Sequence, residues 1–169
     1  HTVAEREVGE LVKPLLAGRS AGVISEAGVP GVADPGAAVV AECHRCGIRV
    51  VPLVGPSSIL LALMASGLNG QSFAFNGYLP VKPPERSRAI RFFERRAQAE
   101  GQSQLFIEAP YRNVKLFEEL LRTLAPTTRL TLAVDVTAPG ERIITRTVAE
   151  WQRQPLPEMN KRPAIFIIG

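Results

Sequence analysis

The hydrophobic and polar positions of the chain fall into short runs whose spacing predicts helices alternating with strands. Leu11, Leu15 and Leu16 recur at helical spacing, and Pro14 weakens the last turn of that helix. In the first half, the predicted helices span residues 3–17, 35–46 and 57–65, and the predicted strands span residues 21–25 and 48–53. Because the two kinds of element alternate, we expect a parallel sheet with crossover helices in this half.

The helix predicted over residues 35–46 carries recognisable ends. Asp34 is expected as its N-cap, Pro35 occupies its first turn and Gly47 ends it. The helix predicted over residues 57–65 likewise ends at Gly67.

The second half combines longer helices with β-branched and aromatic strands. The predicted strands span residues 72–75, 104–107, 130–134, 142–147 and 164–168, and the predicted helices span residues 85–98, 112–124 and 148–152. A turn at residues 138–141 indicates an antiparallel pair. The predicted fold class is therefore α/β, with two α/β lobes that contain mixed sheets, at residues 1–70 and 71–169.

Composition fits a globular protein with a substantial core. Of the 169 residues, 46% are hydrophobic and 21% are charged. No apolar run approaches the roughly 18 residues needed to span a bilayer. The sequence starts at His1 inside a predicted helix, so we expect the natural N-terminus to lie further upstream.

The net charge of +4 is compatible with a nucleic-acid or other anionic partner. The densest run of charge is KPPERSRAIRFFERR, residues 82–96. One interpretation is a solvated helix face with Ile90 and Phe93 turned inward. The other is a patch that binds RNA phosphates.

The two cysteines, Cys43 and Cys46, are interpreted as thiols packed near one face of a helix. The sequence has no second pair that would complete a zinc site. The absence of a disulfide framework fits a reducing compartment, so we expect a cytoplasmic protein.

Five loops are predicted to leave the carboxyl ends of strands, where open α/β sheets bind ligands. They span residues 25–36, 54–58, 76–80, 108–112 and 135–141. Gly28, Gly31 and Gly55 let the backbone approach a ligand closely. Ser57 and Ser58 start a helix, whose free N–H groups suit a carboxylate or ribose. Together these loops predict a ligand cleft.

Carboxylates in the loops leave several chemistries open. Glu26, Asp34, Glu108 and Asp135 are suited to magnesium, or to hydrogen bonds with ribose, substrate or each other. The sequence contains no Walker P-loop and no G-x-G-x-x-G motif. The positions of its two histidines do not favour a nucleophilic triad.

The order of the loop motifs resembles the tetrapyrrole methylase superfamily. The motifs are SEAGVPGVADPG, VVPLVGPSS, FAFNGYLP, LFIEAPYR and the C-terminal AIFIIG, from about residue 20 to the end. The resemblance is greatest to the branch that methylates the 2'-hydroxyl of small-subunit ribosomal RNA, with its uncharacterised bacterial relatives.

The resemblance implies S-adenosylmethionine (SAM) bound in a folded shape in a cleft between two α/β lobes, and a homodimer. It places the methionine part of SAM at Ala27, Gly28, Val29 and Val32. It places Ser57 and Ser58 in contact with the cofactor, and Glu108, Ala109 and Thr137 near its adenosine. The loop at residues 25–36 would then hold SAM mainly through its backbone.

Three departures from the family pattern bear on the acceptor and on activity. The glycine- and proline-rich loop of the family's first strand has no counterpart here, which predicts that the N-terminal part of the first lobe is missing. Ala138 stands where rRNA-methylating relatives carry a lysine, and Tyr111 stands where a histidine is more common.

Methyl transfer to a hydroxyl needs positioning, a polar surround and a group that accepts the proton. Glu108, Asp135 and Glu141 are the candidates for that acceptor, each with a structural role as the alternative. Arg112 is a candidate for binding phosphate or a substrate carboxylate. We therefore predict a SAM-dependent methyltransferase with an RNA acceptor. The alternatives are a methylase of a small tetrapyrrole-type molecule and a degenerate, non-catalytic domain that binds SAM or RNA.

Overall fold

A computed structural model of the chain describes residues 5–169, with side chains from Glu7 onward. These residues form two compact units, which divide between Ser57 and Ser58. The predicted start of the first helix at residue 3 lies outside the described residues. No helix within residues 5–169 combines the length and the apolar character needed to cross a membrane.

The first unit contains two helices, α1 (Glu5–Leu16) and α2 (Ala37–Arg45). They pack together, and Val8, Val12 and Cys43 are buried. Cys43 is buried and Cys46 is partly buried, and both are free thiols.

The strands predicted at residues 21–25 and 48–53 are not formed, so the described part of the first unit has no parallel sheet. Ile24 and Leu53 are almost fully exposed, at 93% and 87%. A strand persists only when its backbone groups pair with a neighbour. Within residues 5–57 neither run pairs with another segment, although both have strand-forming sequences.

The predicted N-cap of α2 was also wrong. The helix begins two residues after Pro35, and Gly36 holds the N-cap position with a φ of 136°. The Asp34 carboxylate instead accepts a hydrogen bond from the Ser25 hydroxyl, which ties the two ends of the loop together. The end of the helix agrees with the prediction, because Gly47 follows the C-cap in the left-handed region.

The second unit is a five-stranded mixed sheet with helices on both faces. Its strands are β1 (Phe73–Tyr78), β2 (Ser103–Ile107), β3 (Arg129–Val134), β4 (Arg142–Thr147) and β5 (Ala164–Ile168). Its helices are α3 (Ser58–Ser66), α4 (Pro83–Glu100), α5 (Asn113–Thr123) and α6 (Val148–Trp151), with a 3-10 turn at Pro110–Arg112.

The sheet order is β1-β2-β5-β3-β4, in which β1 and β2 are parallel and every other pair is antiparallel. The turn predicted at residues 138–141 does join an antiparallel pair, β3 and β4. β5 was predicted at its observed bounds, and it lies in the centre of the sheet with all five residues buried.

Each face of the sheet has its own core. One contains Phe106, Phe166, Phe117 and Trp151, and the Phe117 and Trp151 rings meet edge to face at 5.2 Å. The other is formed by α3, which packs on β4 and β5. Because α3 belongs to the second unit, the observed division of the chain at Ser57 comes before the predicted lobe boundary at residue 70. The division into two lobes at residue 70 stays a prediction.

A buried ion pair joins α4 to α5. The Arg86 side chain donates to Glu119 Oε2, with Nε at 2.6 Å, and Ser87 Oγ donates to Glu119 Oε1 at 2.7 Å. The Arg86 and Glu119 side chains are only 8% and 2% exposed. Both carboxylate oxygens are therefore satisfied away from water, as a buried charge requires.

We expect Glu119→Ala to lower the free energy of unfolding by about 3–5 kcal/mol, because it leaves the Arg86 charge buried without a partner. Glu100→Ala is the control, since it breaks the exposed Arg96–Glu100 pair on α4 and should cost about 0.5 kcal/mol or less. Urea unfolding of both variants measures the difference. Equal costs in the two variants would show that the Arg86–Glu119 pair does not stabilise the packing of α4 on α5.

Candidate functional site

Three strands of the second unit end at one edge of the sheet. β1 runs parallel to β2, and β2 and β3 are both antiparallel to β5. The carboxyl ends of β1, β2 and β3 therefore share an edge with the amino end of β5. The loops at residues 108–112 and 135–141 are brought to this edge, as predicted for ligand-binding loops.

Glu108 follows the last residue of β2 and is the most enclosed carboxylate at this edge, with its side chain 1% exposed. Its Oε1 accepts from the Ala109 N–H at 2.7 Å and from Arg112 Nε and Nη2 at 3.0 and 2.7 Å. Glu108 and Arg112 are four residues apart in sequence, and the 3-10 turn at Pro110–Arg112 brings their side chains together. This hydrogen bond raises the pKa of Arg112 above its ordinary value, so the guanidinium remains charged.

Arg112 also faces Tyr111. Arg112 Nη1 donates to Tyr111 Oη at 3.0 Å, and the guanidinium lies 5.1 Å from the centre of the Tyr111 ring. The Arg112 side chain keeps 28% of its surface exposed, and Tyr111 is 64% exposed. The charged group is thus held by the protein on one side and open to solvent on the other.

Asp135 follows the last residue of β3 and has a left-handed backbone, with a φ of 51°. Its N–H donates to the Pro163 carbonyl at 3.0 Å, and its Oδ2 accepts from Arg162 Nη1 at 3.1 Å. A Cβ at Gly140 would lie 3.2 Å from Asp135 Oδ2 and 3.3 Å from Arg162 Nη1, so a larger residue there would have to displace this pair by a few tenths of an ångström.

Thr137 has a φ of 71°, which is uncommon for a β-branched residue. Its N–H donates to Glu141 Oε2 at 2.6 Å, and the Ala138 N–H donates to the Asp135 carbonyl at 2.8 Å. These bonds hold the loop in its conformation. Strained backbone of this kind is typical of functional loops.

The two loops are linked through the segment before β5. The Lys161 N–H donates to the Pro110 carbonyl at 3.1 Å, and Asn113 Nδ2 donates to the Arg162 carbonyl at 2.6 Å. Glu108 and Asp135 therefore lie at the ends of strands on either side of β5, about 10 Å apart by strand spacing.

Two buried acceptors at this edge have no donor among the described residues, Glu108 Oε2 and Asn113 Oδ1. A buried acceptor without a donor costs free energy unless a ligand or a water supplies one. Glu108 Oε2 is therefore suited to a hydroxyl or amino group of a ligand.

The loop at residues 25–36 lies in the first unit and closes on itself. Besides the Ser25–Asp34 bond, the Gly31 N–H donates to the Pro35 carbonyl at 3.2 Å, and Ser25 Oγ donates to the Ala27 carbonyl at 2.6 Å. Gly28 has a φ of 76°. No residue in the described part of the chain accepts from the N–H groups of Ala27, Gly28 or Val29.

The remaining predicted residues are placed separately. Val32 is 50% exposed in the same loop, and Ser57 ends the first unit. Ser58 is the first residue of α3 and is exposed. The structure thus brings two loops of the second unit to one edge of the sheet. One contains Glu108, Ala109 and Arg112, and the other contains Asp135, Thr137 and Glu141. The loop at residues 25–36 belongs to the first unit.

Arg162 and Asn113 were missed by the sequence analysis. Arg162 reaches Asp135 only because β5 inserts between β2 and β3, and residues 138–141 were the only sign of antiparallel pairing. Among residues 5–169 there is no group of three or more His, Cys, Asp or Glu side chains positioned to hold a metal ion. Asp34, Glu108 and Asp135 are each engaged by a different side chain.

Comparisons with a family model and with curated proteins both identify methyltransferases as similar to this chain. The family model for tetrapyrrole (corrin/porphyrin) methylases matches residues 1–152. Proteins named ribosomal RNA small subunit methyltransferase I are similar. The one from Vibrio cholerae serotype O1 is 36% identical over 83% of this chain and 47% of its own length, and the one from Xylella fastidiosa is 32% identical over 99% and 58%. The chain thus spans about half the length of these curated relatives.

Solved structures share the fold at lower identity. The methyltransferase CobJ aligns with a TM-score of 0.63 at 20% identity, over 99% of this chain and 71% of its own. A conserved hypothetical protein from Aeropyrum pernix K1 aligns with a TM-score of 0.54 at 18% identity, over 84% and 55%.

We expect Arg112→Ala to lower the free energy of unfolding by about 1–3 kcal/mol, because it leaves the enclosed Glu108 carboxylate without its counter-ion. The double variant Glu108→Gln with Arg112→Ala should lose less stability than Arg112→Ala alone, because it removes the uncompensated charge as well. Urea midpoints of the two variants measure the difference. A loss in the double variant equal to or larger than that in Arg112→Ala would contradict this account of the pair.

Proposed function

This chain belongs to the tetrapyrrole (corrin/porphyrin) methylase family, and we propose that it acts as a SAM-dependent methyltransferase on RNA, at the 2'-hydroxyl of a ribosomal RNA nucleotide. The observation that carries the proposal is the sheet edge where Glu108, Arg112, Asp135 and Thr137 converge. The names of the relatives favour RNA over a small tetrapyrrole-type acceptor. Because the chain spans about half of those relatives, the activity of the whole protein is part of the proposal.

We further propose which residues bind the polar groups of SAM. We assign the unpaired N–H groups of Ala27, Gly28 and Val29, with Val32, to its methionine part, and the hydroxyls of Ser57 and Ser58 to further cofactor contacts. Glu108 Oε2 needs a donor, which a ribose hydroxyl or an adenine amino group provides. Ala109 and Thr137 are assigned to the adenosine. When bound, SAM supplies a methyl group activated on a sulfonium.

The acceptor hydroxyl needs a group that takes its proton. Asp135 suits this role, because Arg162 engages Oδ2 and leaves Oδ1 without a partner among the described residues. Glu108 is less suited, because Oε1 already accepts three hydrogen bonds and the remaining oxygen, Oε2, is buried and is assigned to the cofactor. Glu141 is exposed and holds the Thr137 N–H. Arg112, with its open side, is assigned to a phosphate of the RNA.

We also propose a cytoplasmic homodimer built from lobes at residues 1–70 and 71–169. Exposed apolar side chains at Tyr78 and Val81, 63% and 59% exposed, support a subunit interface. The two free thiols support a reducing compartment.

A second candidate is a non-catalytic domain that binds SAM or RNA. Ala138 favours it, because that position in the strained residue 135–141 loop carries no charged side chain. Cofactor binding without methyl transfer would support this candidate.

The first test is calorimetric titration of SAM and S-adenosylhomocysteine into the full-length protein, where we expect micromolar binding. Gly28→Asp should abolish it, because the new side chain is strained at φ 76° and carries a negative charge at the loop backbone. Gly18→Asp is the matched control, since Gly18 has a φ of 83°, open space around it and lies outside the loop. Equal affinities of the two variants would overturn the assignment of this loop.

Methyl transfer from radiolabelled SAM to under-methylated small ribosomal subunits tests the acceptor role. Asp135→Asn should lower kcat by about 10²–10⁴-fold, because the amide does not take the proton, while SAM affinity stays unchanged. Glu141→Gln should retain activity within a few-fold. Full activity of Asp135→Asn would exclude Asp135 as the proton acceptor.

A further inference from the structure

The inward face of α4 is fixed to the second unit by buried contacts. Ile90 is fully buried and Ala97 is 5% exposed. Arg86 pairs with Glu119, and Glu94 accepts from the Ala125 N–H at 2.7 Å and from the Thr128 hydroxyl. The rotation of the helix about its axis is therefore determined, and so is the set of side chains that it presents outward.

The outward face presents three arginines and an aromatic ring, Arg88, Arg91, Phe92 and Arg95, which we call the arginine–phenylalanine stripe. Arg91, Phe92 and Arg95 follow Arg88 by three, four and seven residues. This spacing places the four side chains on one side of the helix, over about 10 Å of its length. All four are exposed. None of the three arginines forms an ion pair with a described residue. The neighbouring Arg96, in contrast, is paired with Glu100. Glu85 lies at the N-terminal end of the stripe.

Phe92 distinguishes the stripe from an ordinary solvated helix face. It is 53% exposed, and its ring meets Phe93 edge to face at 5.2 Å. Phe93 in turn meets the buried Phe106 at 5.2 Å. The exposed ring is thus anchored to the core, and beside it lies a shallow depression of about 400 Å³. The depression is lined by Phe92, Arg95, Arg96, Ala99 and Glu100.

We propose that the arginine–phenylalanine stripe binds single-stranded RNA, with the arginines on its phosphates and a base stacked on Phe92. Unpaired cations beside an exposed aromatic ring are the features by which proteins hold single strands. A peptide of acidic residues alone, such as polyglutamate, would use the charges and leave the ring without a partner. The inference rests on the proposed function for the identity of the RNA, and it adds a substrate-docking surface away from the sheet edge.

The test is fluorescence anisotropy of a labelled single-stranded RNA of about 12 nucleotides with the full-length protein, over a range of salt. Replacing all three arginines (Arg88→Gln, Arg91→Gln and Arg95→Gln) should weaken binding at least tenfold at low salt. It should also reduce the slope of log affinity against log salt by about 2, since each lost phosphate contact removes about 0.7. The control replaces three exposed arginines elsewhere, Arg122→Gln, Arg129→Gln and Arg153→Gln, and should change affinity only a few-fold.

Phe92 is tested separately. Phe92→Ala and Phe92→Leu should each weaken binding about tenfold without changing the salt slope, because both remove the stacking face and only the first removes the apolar bulk. Thermal unfolding checks that the variants remain folded. A polyglutamate peptide of equal charge should bind weakly and without dependence on Phe92.

The proposal is overturned if the stripe and control variants lose affinity equally, if the parent protein does not bind the RNA at low salt, or if polyglutamate competes as well as RNA. SAM titration separates this result from the proposed function. RNA binding that depends on the stripe in a protein that takes up no SAM would leave this surface standing and remove the methyltransferase assignment. SAM binding with RNA affinity insensitive to the stripe would do the reverse.

Discussion

The pairing of β5 on both sides is the constraint on which the second unit depends. β5 is hydrogen-bonded to β2 on one side and to β3 on the other, and its five residues are buried. Without β5, the sheet would consist of two separate pairs of strands, β1 with β2 and β3 with β4. β2 and β3 would then each lack a hydrogen-bonding neighbour on one side. Because β5 runs antiparallel to both neighbours, it also turns the carboxyl ends of β2 and β3 to the same edge. The proximity of Glu108 and Asp135 is thus a consequence of the position of β5.

Glu119 and Glu108, two buried carboxylates of the second unit, differ in how their oxygens are used. Glu119 uses both oxygens on Arg86 and Ser87, so nothing remains for a ligand. Glu108 receives all its hydrogen bonds on Oε1, and its buried Oε2 has no donor among the described residues. A carboxylate that served only to anchor Arg112 would gain by engaging both oxygens. The asymmetry of Glu108 is the physical reason to place a ligand group beside it.

The sequence predicted the second unit well because its elements carry their own signals. β4 and β5 have the predicted bounds, and α4 and α5 follow from their apolar spacing. The first unit shows the limit of such reasoning, because the runs at residues 21–25 and 48–53 have strand composition without a neighbour to pair with. Arg162 and Asn113 could not have been predicted, since their contacts depend on the register of β5. Glu108 and Asp135 were predicted as carboxylates in loops that leave the carboxyl ends of strands, whereas their placement on either side of β5 became visible only from the strand order.

The position of α4 relates the proposed docking surface to the sheet edge. α4 connects the carboxyl end of β1, at that edge, to the amino end of β2. Arg88 therefore lies about one and a half turns from the start of a helix that begins near the site. Arginine–phosphate contacts supply affinity but carry little sequence information, whereas groups at the reacting atoms determine the chemistry. Under the two proposals, the arginines on the helix surface hold the backbone of an RNA strand, and the groups at the strand ends act on one of its nucleotides. The contacts of α4 agree with this proposal. Glu94 is turned inward and Arg96 is paired with Glu100, whereas the three arginines of the stripe form no ion pair with a described residue.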